Sequence, residues 1–378
     1  MHIKGIGFFS VKVTILIAML FVLGGTMTAP AQWTASNTSH AWSGYNNNFL
    51  FTNSSGHDQF RAKESGTTAT GFWMYAEQIE LAVDAYYWAK TNDSGNLSTY
   101  SSEVTSLING FNDAHPSWWN GSDTYDDDMM WATIAFARAY QALGTSAWLT
   151  DAEDAFNKVY SRGLASNGGI YWNSACEASC SSWYENSAAN WTFVLAGHII
   201  WNNNGNTGNY KTEADSVFTW AYNTLYNSST GEIYDGYKSA GIQTADYSYN
   251  YGVAIGAASE HGSENTMITN VSNYLANDLA AYQGTVGEYK ILLDYDASEN
   301  GSDGGGFNGI TMRWLELANI HGLLSSSVQA WAVANITQAW SVRDSSELMW
   351  DDWMSSTPSS GVYSWDCSSA MSGMFNWQ

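Results

Sequence analysis

Apolar residues recur along most of the chain at intervals of three and four, which is the spacing of one face of an α-helix. No stretch sustains the two-residue alternation of a half-buried β-strand, and only 3 prolines interrupt the 378 residues. Repeated helices with short connections predict an all-α array. The pattern predicts eleven helices and leaves room for a short last one near 368–376; the eleven are residues 34–52, 69–90, 98–112, 126–143, 147–163, 185–202, 210–226, 247–260, 266–282, 307–322 and 325–341.

Two kinds of helix can be distinguished by how their apolar residues are distributed. Segments 69–90 and 126–143 are apolar on almost every side, whereas segment 98–112 has one apolar face. A helix that is apolar all round is buried on all sides, while an amphipathic helix covers a core from outside. The sequence therefore predicts a layer of inner helices and a layer of outer ones.

A weak internal repeat supports a series of helical hairpins. Tyr171, Tyr234 and Tyr363 lie in similar glycine-containing loops, at steps of 63 residues (171 to 234) and 129 residues (234 to 363). A period near 60 residues corresponds to one helical hairpin with its loop, so six hairpins would fill residues 32–378.

Three consecutive carboxylates, Asp126, Asp127 and Asp128, stand where the apolar helix 126–143 begins. Aspartate is favoured in the first turn of any helix, because free N–H groups and the helix dipole favour negative charge there. One cap needs one aspartate, however, and like charges this close raise the pKa of one of them, as a general acid requires. Capping and catalysis both remain open on this evidence.

The segment from Tyr125 to Trp131 resembles the paired-aspartate motif of glycoside hydrolase family 76, the endo-α-1,6-mannanases. Aligned on Trp131, the pair is Asp127–Asp128; the alternative register is Asp126–Asp127. Further similar segments occur in the family's order, at residues 71–86, 168–172, 185–190, 234–236, 249–252 and 307–313. The chain departs from the family pattern at four positions, which carry Asp126 for an aromatic residue, Glu185 for lysine, Tyr251 for glutamine and Asn308 for lysine.

The resemblance implies a closed (α/α)6 toroid of helical hairpins, with a cleft at one end. It also implies that Asp127 is a nucleophile and Asp128 an acid/base in a glycoside hydrolase that retains anomeric configuration. Two neighbouring carboxyls at the mouth of a barrel suit the short separation of a retaining pair, about 5–5.5 Å, better than the wider gap of an inverting pair. We expect Asp126 to lie nearer solvent and to stay charged.

Six further residues are predicted to bind substrate: Asp235, Asn250, Tyr249, Trp172, Asn190 and Tyr125. Each has a structural alternative. Asp235 could be a turn residue that bonds its own backbone, and Asn190 and Asn250 could tie off buried helix ends. Trp131 fits a core position better than a sugar platform, and Arg313 is expected to form a structural ion pair.

Composition narrows the class of substrate and partner. Acidic residues outnumber basic ones by 36 to 13, for a net charge of −23, which disfavours nucleic acid and anionic polysaccharides. The 20 tryptophans and 23 tyrosines suit the flat faces of neutral sugar rings, although large aromatics also fill ordinary cores. We therefore expect a mannan or another mannose-containing polysaccharide as the partner, and a monomeric protein.

Residues 1–31 have the pattern of a secretory signal peptide, with Lys4 and Lys12, an apolar stretch at 13–23 and a small-residue site ending at Ala31. An uncleaved anchor is the alternative. We expect residues 32–378 to form a single catalytic domain that is secreted, or periplasmic in a Gram-negative cell, and free of the membrane after cleavage.

The three cysteines and the scattered histidines have no zinc-site spacing, so no metal or cofactor is expected. Cys176 and Cys180 are close enough in sequence for a local disulfide.

Three other functions remain open at this point. A mannan transglycosylase of cell-wall glycans could use the same carboxylates, and a non-catalytic glycan-binding protein could use the same scaffold. A polysaccharide lyase on a similar toroid is disfavoured, because lyases act on acidic sugars and the chain is strongly acidic.

Overall fold

The computed structural model describes residues 32–176, 183–279, 282–295 and 301–377. The predicted signal peptide and Cys180 lie outside these ranges, so the suggested Cys176–Cys180 pairing is not described. No helix within the ranges combines the length and hydropathy that a membrane span requires.

The described chain is mostly α-helical, which confirms the all-α prediction, and each predicted helix is present within a few residues. The segment predicted near 368–376 is a full helix that begins earlier, at Ser364. The helices are α1 (Ala35–Phe49), α2 (Phe72–Asn92), α3 (Leu97–Ala114), α4 (Asp126–Leu143), α5 (Ser146–Gly163), α6 (Ser187–Asn203), α7 (Tyr210–Thr224), α8 (Ser248–His261), α9 (Asn265–Asn277), α10 (Phe307–Ile320), α11 (Ser326–Ser341) and α12 (Ser364–Asn376).

Three small antiparallel sheets, which the sequence pattern did not reveal, lie in the connections between helices. Most of their strands have three residues, too few to show a two-residue period. The sheets pair β1 (Leu50–Thr52) with β2 (Asp58–Phe60), β4 (Gly236–Lys238) with both β3 (Tyr184–Asn186) and β5 (Gly241–Gln243), and β6 (Tyr282–Val286) with β7 (Tyr289–Leu292). The predicted helix 185–202 therefore begins two residues late, because Glu185 and Asn186 belong to β3.

The even-numbered helices form a closed inner ring. Each packs against the next along the chain, α2 on α4, α4 on α6, α6 on α8, α8 on α10 and α10 on α12, and α12 packs back against α2. Odd-numbered helices pack outside, as α5 does against α4 and α6. Burial follows the same division: α6 and α8 are buried on all sides, whereas α5 and α9 bury one face. This is the toroid that the resemblance implied.

A buried ion-pair cluster joins three helices of the ring. Glu77, Glu80 and Asp84 lie on one face of α2, at the spacing that brings helical neighbours together. Arg313 of α10 donates to Glu77 at 2.6 Å and to Asp84 at 2.7 Å. Arg138 of α4 donates to Glu80 and to Asp84, both at 2.6 Å.

Charge in this cluster is unequal, because three acids face two arginines. Burial, followed by the charge of Glu80, raises the pKa of Glu77 well above its usual range. The arginines overcome the burial of Asp84 and lower its pKa. Arg313 therefore forms the structural ion pair that the sequence predicted.

Replacing Arg313 by methionine should destabilise the fold, because Glu77 and Asp84 would lose a buried partner. Removing one member of a buried pair costs about 3–5 kcal/mol, measurable as a shift in chemical denaturation. Arg343→Met is the matched control, since the Arg343–Glu347 pair is about one-third exposed and should contribute about 1 kcal/mol or less. Equal losses for the two variants would contradict a special role for the buried cluster.

Candidate active site

Inner helices begin at the same end of the ring, and their first residues enclose a cavity of about 470 Å³. Its walls come from the starts of α2, α4, α6, α8 and α10 and from the loops before them. Helix N-termini carry free N–H groups and partial positive charge, so this end favours anions. The lining residues are Trp73, Tyr125, Asp127, Asp128, Trp131, Trp172, Asn186, Tyr249, Asp303 and Phe307.

Asp126, the first of the three acids, is turned away from the cavity and is fully buried. Its Oδ1 accepts a hydrogen bond from Nε of Arg162 on α5 at 2.8 Å, and Nη2 of Arg162 lies within ion-pair distance of the same oxygen, also at 2.8 Å. Gly163 leaves room for this carboxylate, because a Cβ there would lie 2.4 Å from Asp126 Oδ2. Burial raises the pKa of Asp126 to about 7, against the opposing charge of Arg162. The expectation that Asp126 lies nearer solvent is therefore wrong.

Asp127 faces the cavity and is held by three N–H donors. Trp172 Nε1 donates to Oδ2 at 2.9 Å, Asn186 Nδ2 to the same oxygen at 3.4 Å, and the backbone N–H of Asp128 to Oδ1 at 3.0 Å. Burial raises the pKa of Asp127 to about 7, and these hydrogen bonds work in the opposite direction, since each favours the ionised form.

Asp128 faces the same cavity in a different environment. No side-chain hydrogen bond to its carboxyl occurs within the described ranges, and burial raises its pKa to about 9, with further contributions from Asp127, Asp123 and Asp303. The two carboxyls titrate as a coupled pair. Asp127 is the member that ionises more readily, because only Asp127 has N–H donors.

Aromatic rings form most of the remaining wall. Tyr249 packs on Phe307 with ring centroids 4.1 Å apart. Tyr125 and Trp172 pack together at the rim, 5.0 Å apart and each 38% exposed. Trp131 is 2% exposed, as its predicted core position requires, yet it also lines the cavity. Three of the predicted substrate-binding residues, Tyr125, Trp172 and Tyr249, therefore lie at the cavity.

Asn190 and Asn250 are fully buried and are not among the residues that line the cavity, so their contact with substrate stays a prediction. Asn190 accepts from the Ile170 N–H at 2.7 Å and donates to the carbonyls of Ile170 and Asn186 at 2.9 and 2.8 Å. Asn250 donates to Asp235 Oδ1 at 3.1 Å. These hydrogen bonds are the ones that the structural alternative predicts for the two amides.

Asp235 lies in the layer behind the lining residues and is half-buried. Its carboxylate accepts from the Tyr184 hydroxyl as well as from Asn250, so its partners are side chains rather than its own turn. Burial raises its pKa, and these two hydrogen bonds oppose that effect.

Besides Trp131, which the sequence assigned to the core, four lining residues are absent from the predicted site: Trp73, Asn186, Asp303 and Phe307. Asn186 could have been found from the sequence, because asparagine is a common N-cap. Its side chain accepts a hydrogen bond from the Ala189 N–H at 2.9 Å, and the helix start that it caps lies at the cavity. Asp303 lies in a short loop before α10, where no periodic pattern marks it. Within the described part of the chain, no group of three or more His, Cys, Asp or Glu residues is arranged to hold a metal ion.

Known proteins resemble this chain in sequence and in fold. The model of glycosyl hydrolase family 76 matches residues 30–376, which confirms the resemblance. No curated protein matches the chain.

Solved structures share the fold. The GH76A α-1,6-mannanase from Salegentibacter sp. HEL1_6 superposes with a TM-score of 0.74 at 20% identity, over 91% of this chain and 97% of that one. An inactive variant of that enzyme, with two consecutive aspartates changed to asparagine and α-1,6-mannotriose bound, superposes with the same TM-score at 19% identity, over 91% and 97%. Dfg5 from Chaetomium thermophilum, in complex with glucosamine, reaches 0.62 at 15% identity, over 90% and 88%.

Neutralising Asp128 should stabilise the fold by an amount that grows with pH. The pKa of Asp128 is about 9 in the folded protein, whereas an unfolded chain ionises near about 3.9. Between these values the unfolded state gives up the proton and the folded state keeps it, so wild-type stability falls as pH rises. The melting temperature of Asp128→Asn should exceed that of wild type by a margin that widens from about pH 4 to about pH 8.

Asp278→Asn is the control for this measurement, because Asp278 is an exposed acid at the end of α9. Its margin over wild type should stay nearly constant across the same pH range. A constant margin for Asp128→Asn as well would contradict the high pKa of Asp128.

Proposed function

Because the chain belongs to glycosyl hydrolase family 76, we propose that it is a retaining endo-α-1,6-mannanase in which Asp127 and Asp128 carry out hydrolysis. The observation that carries the proposal is a pair of carboxyls that face one aromatic cavity from the first turn of α4. Solved relatives named as α-1,6-mannanases, one of them with α-1,6-mannotriose bound, support the choice of substrate.

In the first step, the ionised carboxylate of Asp127 attacks the anomeric carbon of the mannosyl unit. The C–O bond to the leaving chain breaks as Asp128 gives its proton to the departing oxygen. The three N–H donors around Asp127 hold it in place. The lack of such donors at Asp128 favours the protonated form that an acid needs.

In the second step, Asp128, now ionised, takes a proton from water as the water oxygen attacks the anomeric carbon. The bond to Asp127 breaks, and the sugar leaves with its configuration retained after two inversions. Consecutive residues of a helix point about 100° apart, so two neighbours can share a cavity only where it wraps around the helix end. The first turn of α4 meets that condition.

Asp235 supports the same site from behind. Its two oxygens each accept one hydrogen bond, from Tyr184 and from Asn250, and a carboxylate oxygen can accept a second. We propose that its partly buried carboxylate binds a sugar hydroxyl once a chain enters the cavity.

Product analysis on four polysaccharides tests the substrate: linear α-1,6-mannan, branched mannan, xylan and β-mannan. We expect short mannooligosaccharides from linear α-1,6-mannan, and none from xylan or β-mannan. The activity should appear in the culture medium if residues 1–31 direct secretion. Products longer than the substrate would favour a transglycosylase, and inactivity on all four would exclude hydrolysis and leave a glycan-binding protein.

Separate substitutions test the two carboxyl roles. Asp127→Asn and Asp128→Asn should each lower mannan hydrolysis by about a hundredfold or more. On an activated α-mannoside whose leaving group needs no proton, Asp128→Asn should still form the glycosyl-enzyme, and added azide should restore turnover with an α-mannosyl azide as product.

Asp127→Asn is the comparison, because without a nucleophile azide cannot give a product of retained configuration. Rescue of Asp127→Asn with retention, or normal mannan hydrolysis by Asp128→Asn, would show that the roles are assigned wrongly.

A further inference from the structure

A third carboxylate, Asp303, lines the cavity from the wall that α10 provides. It is the first residue of a short 3₁₀ turn, Asp303–Gly306, that leads directly into α10. Its side chain is exposed to the cavity. Asp127 and Asp128 come from α4, so Asp303 reaches the same space from a different part of the ring.

Two tryptophans donate hydrogen bonds to Asp303, one to its backbone and one to its carboxylate. Trp365 Nε1, from the start of α12, donates to the backbone carbonyl of Asp303 at 3.0 Å. Trp73 Nε1, from the start of α2, donates to its Oδ1 at 3.2 Å. The two indole rings pack edge to face, 4.9 Å apart. Backbone and carboxylate are therefore both fixed by the ring of inner helices.

The turn that carries Asp303 is packed too tightly for side chains. A Cβ at Gly306 would lie 2.1 Å from the Trp365 ring, far inside contact distance. The turn therefore rests directly against the Trp365 indole. A carboxylate placed this firmly in a cavity has a defined position relative to Asp128.

The charge of Asp303 is not compensated nearby. Within the described residues, no lysine, arginine or histidine lies within salt-bridge distance of it. The charged groups that act on Asp128 are Asp127 on its own helix, Asp123 in the preceding loop and Asp303 across the cavity, all acidic. Arg162, the arginine of α5, is already paired with Asp126.

We propose that Asp303 is a positioning residue whose fixed negative charge keeps the proton on Asp128 until the leaving oxygen takes it. The proposal rests on the function given above, in which Asp128 is the acid. The alkaline limit of hydrolysis then depends on a residue in the turn before α10, and the two indole hydrogen bonds serve to hold that residue in place. Trp73 then serves the acid indirectly, by holding Asp303.

The pH profile of hydrolysis tests this role. Asp303→Asn keeps the shape of the side chain and an acceptor for Trp73, but removes the charge. Asp128 should then lose its proton at lower pH, so the alkaline limb of kcat/KM should move down by about half a pH unit or more. Asp303→Glu keeps the charge and should leave that limb close to wild type. Asp278→Asn removes an exposed charge that does not act on Asp128 and should also leave it unchanged.

A second readout does not depend on activity. Infrared spectroscopy follows the band of the protonated carboxyl as the pH is changed. The Asp128 contribution is assigned by its loss in Asp128→Asn, so the titration measures the protonated fraction of Asp128 directly. The midpoint of this titration should move to lower pH in Asp303→Asn and stay unchanged in Asp303→Glu. Trp73→Phe, which removes the indole donor, should broaden the titration of Asp128 or shift its midpoint.

The outcomes separate this inference from the proposed function. An unchanged midpoint in Asp303→Asn overturns the role of Asp303, whether or not the wild type hydrolyses mannan. A rise in KM with neither the limb nor the midpoint moved would make Asp303 a substrate ligand and would equally overturn it. A wild type with no hydrolytic activity removes the proposed function, while the infrared midpoint still decides whether Asp303 controls the proton.

Discussion

The ion pair between Asp126 and Arg162 determines how the first turn of α4 is oriented, and the site depends on that orientation. Once Asp126 is bound to α5, the rotation of the helix is set, and the next two carboxyls point into the cavity. The burial of Asp126 is supported by a neighbouring glycine that leaves space for its carboxylate. One acid of the triplet is therefore structural, and its cost of burial is offset by a charged partner.

The closed ring adds a second constraint, which is electrostatic. Inner helices begin around the cavity, so several partial positive ends face a site that holds three carboxylates. This arrangement lowers the cost of placing negative charge in an aromatic pocket. Burial and mutual repulsion act in the opposite direction, and the balance differs between neighbours: hydrogen-bond donors surround Asp127, whereas only acids act on Asp128. Two identical side chains thereby acquire different proton affinities.

Much of this fold can be predicted from the chain, but only part of the site. Helix positions follow from apolar spacing, because twelve long segments each repeat the pattern several times. The short strands repeat it too few times to be seen. The roles of Asn190 and Asn250 cannot be read from the chain, because an asparagine at a helix start looks the same in sequence whether it binds a ligand or bonds to the scaffold. Trp73 and Asp303 are 230 residues apart and meet only when the ring closes, so no local signal could join them.

The contact of α12 with α2 has a consequence for how the protein is made. These helices are the last and the first of the inner ring, and bringing them together requires closing a loop that contains most of the described chain. Contacts of such long range form late and slowly in folding. Trp73 and Asp303 line the cavity, and Trp365 bonds to the backbone of Asp303, so this part of the site forms only when α2 and α12 meet. During synthesis, the acidic helix α4 can therefore be complete long before a working pocket exists, and catalytic competence should be the final property that the folding chain acquires.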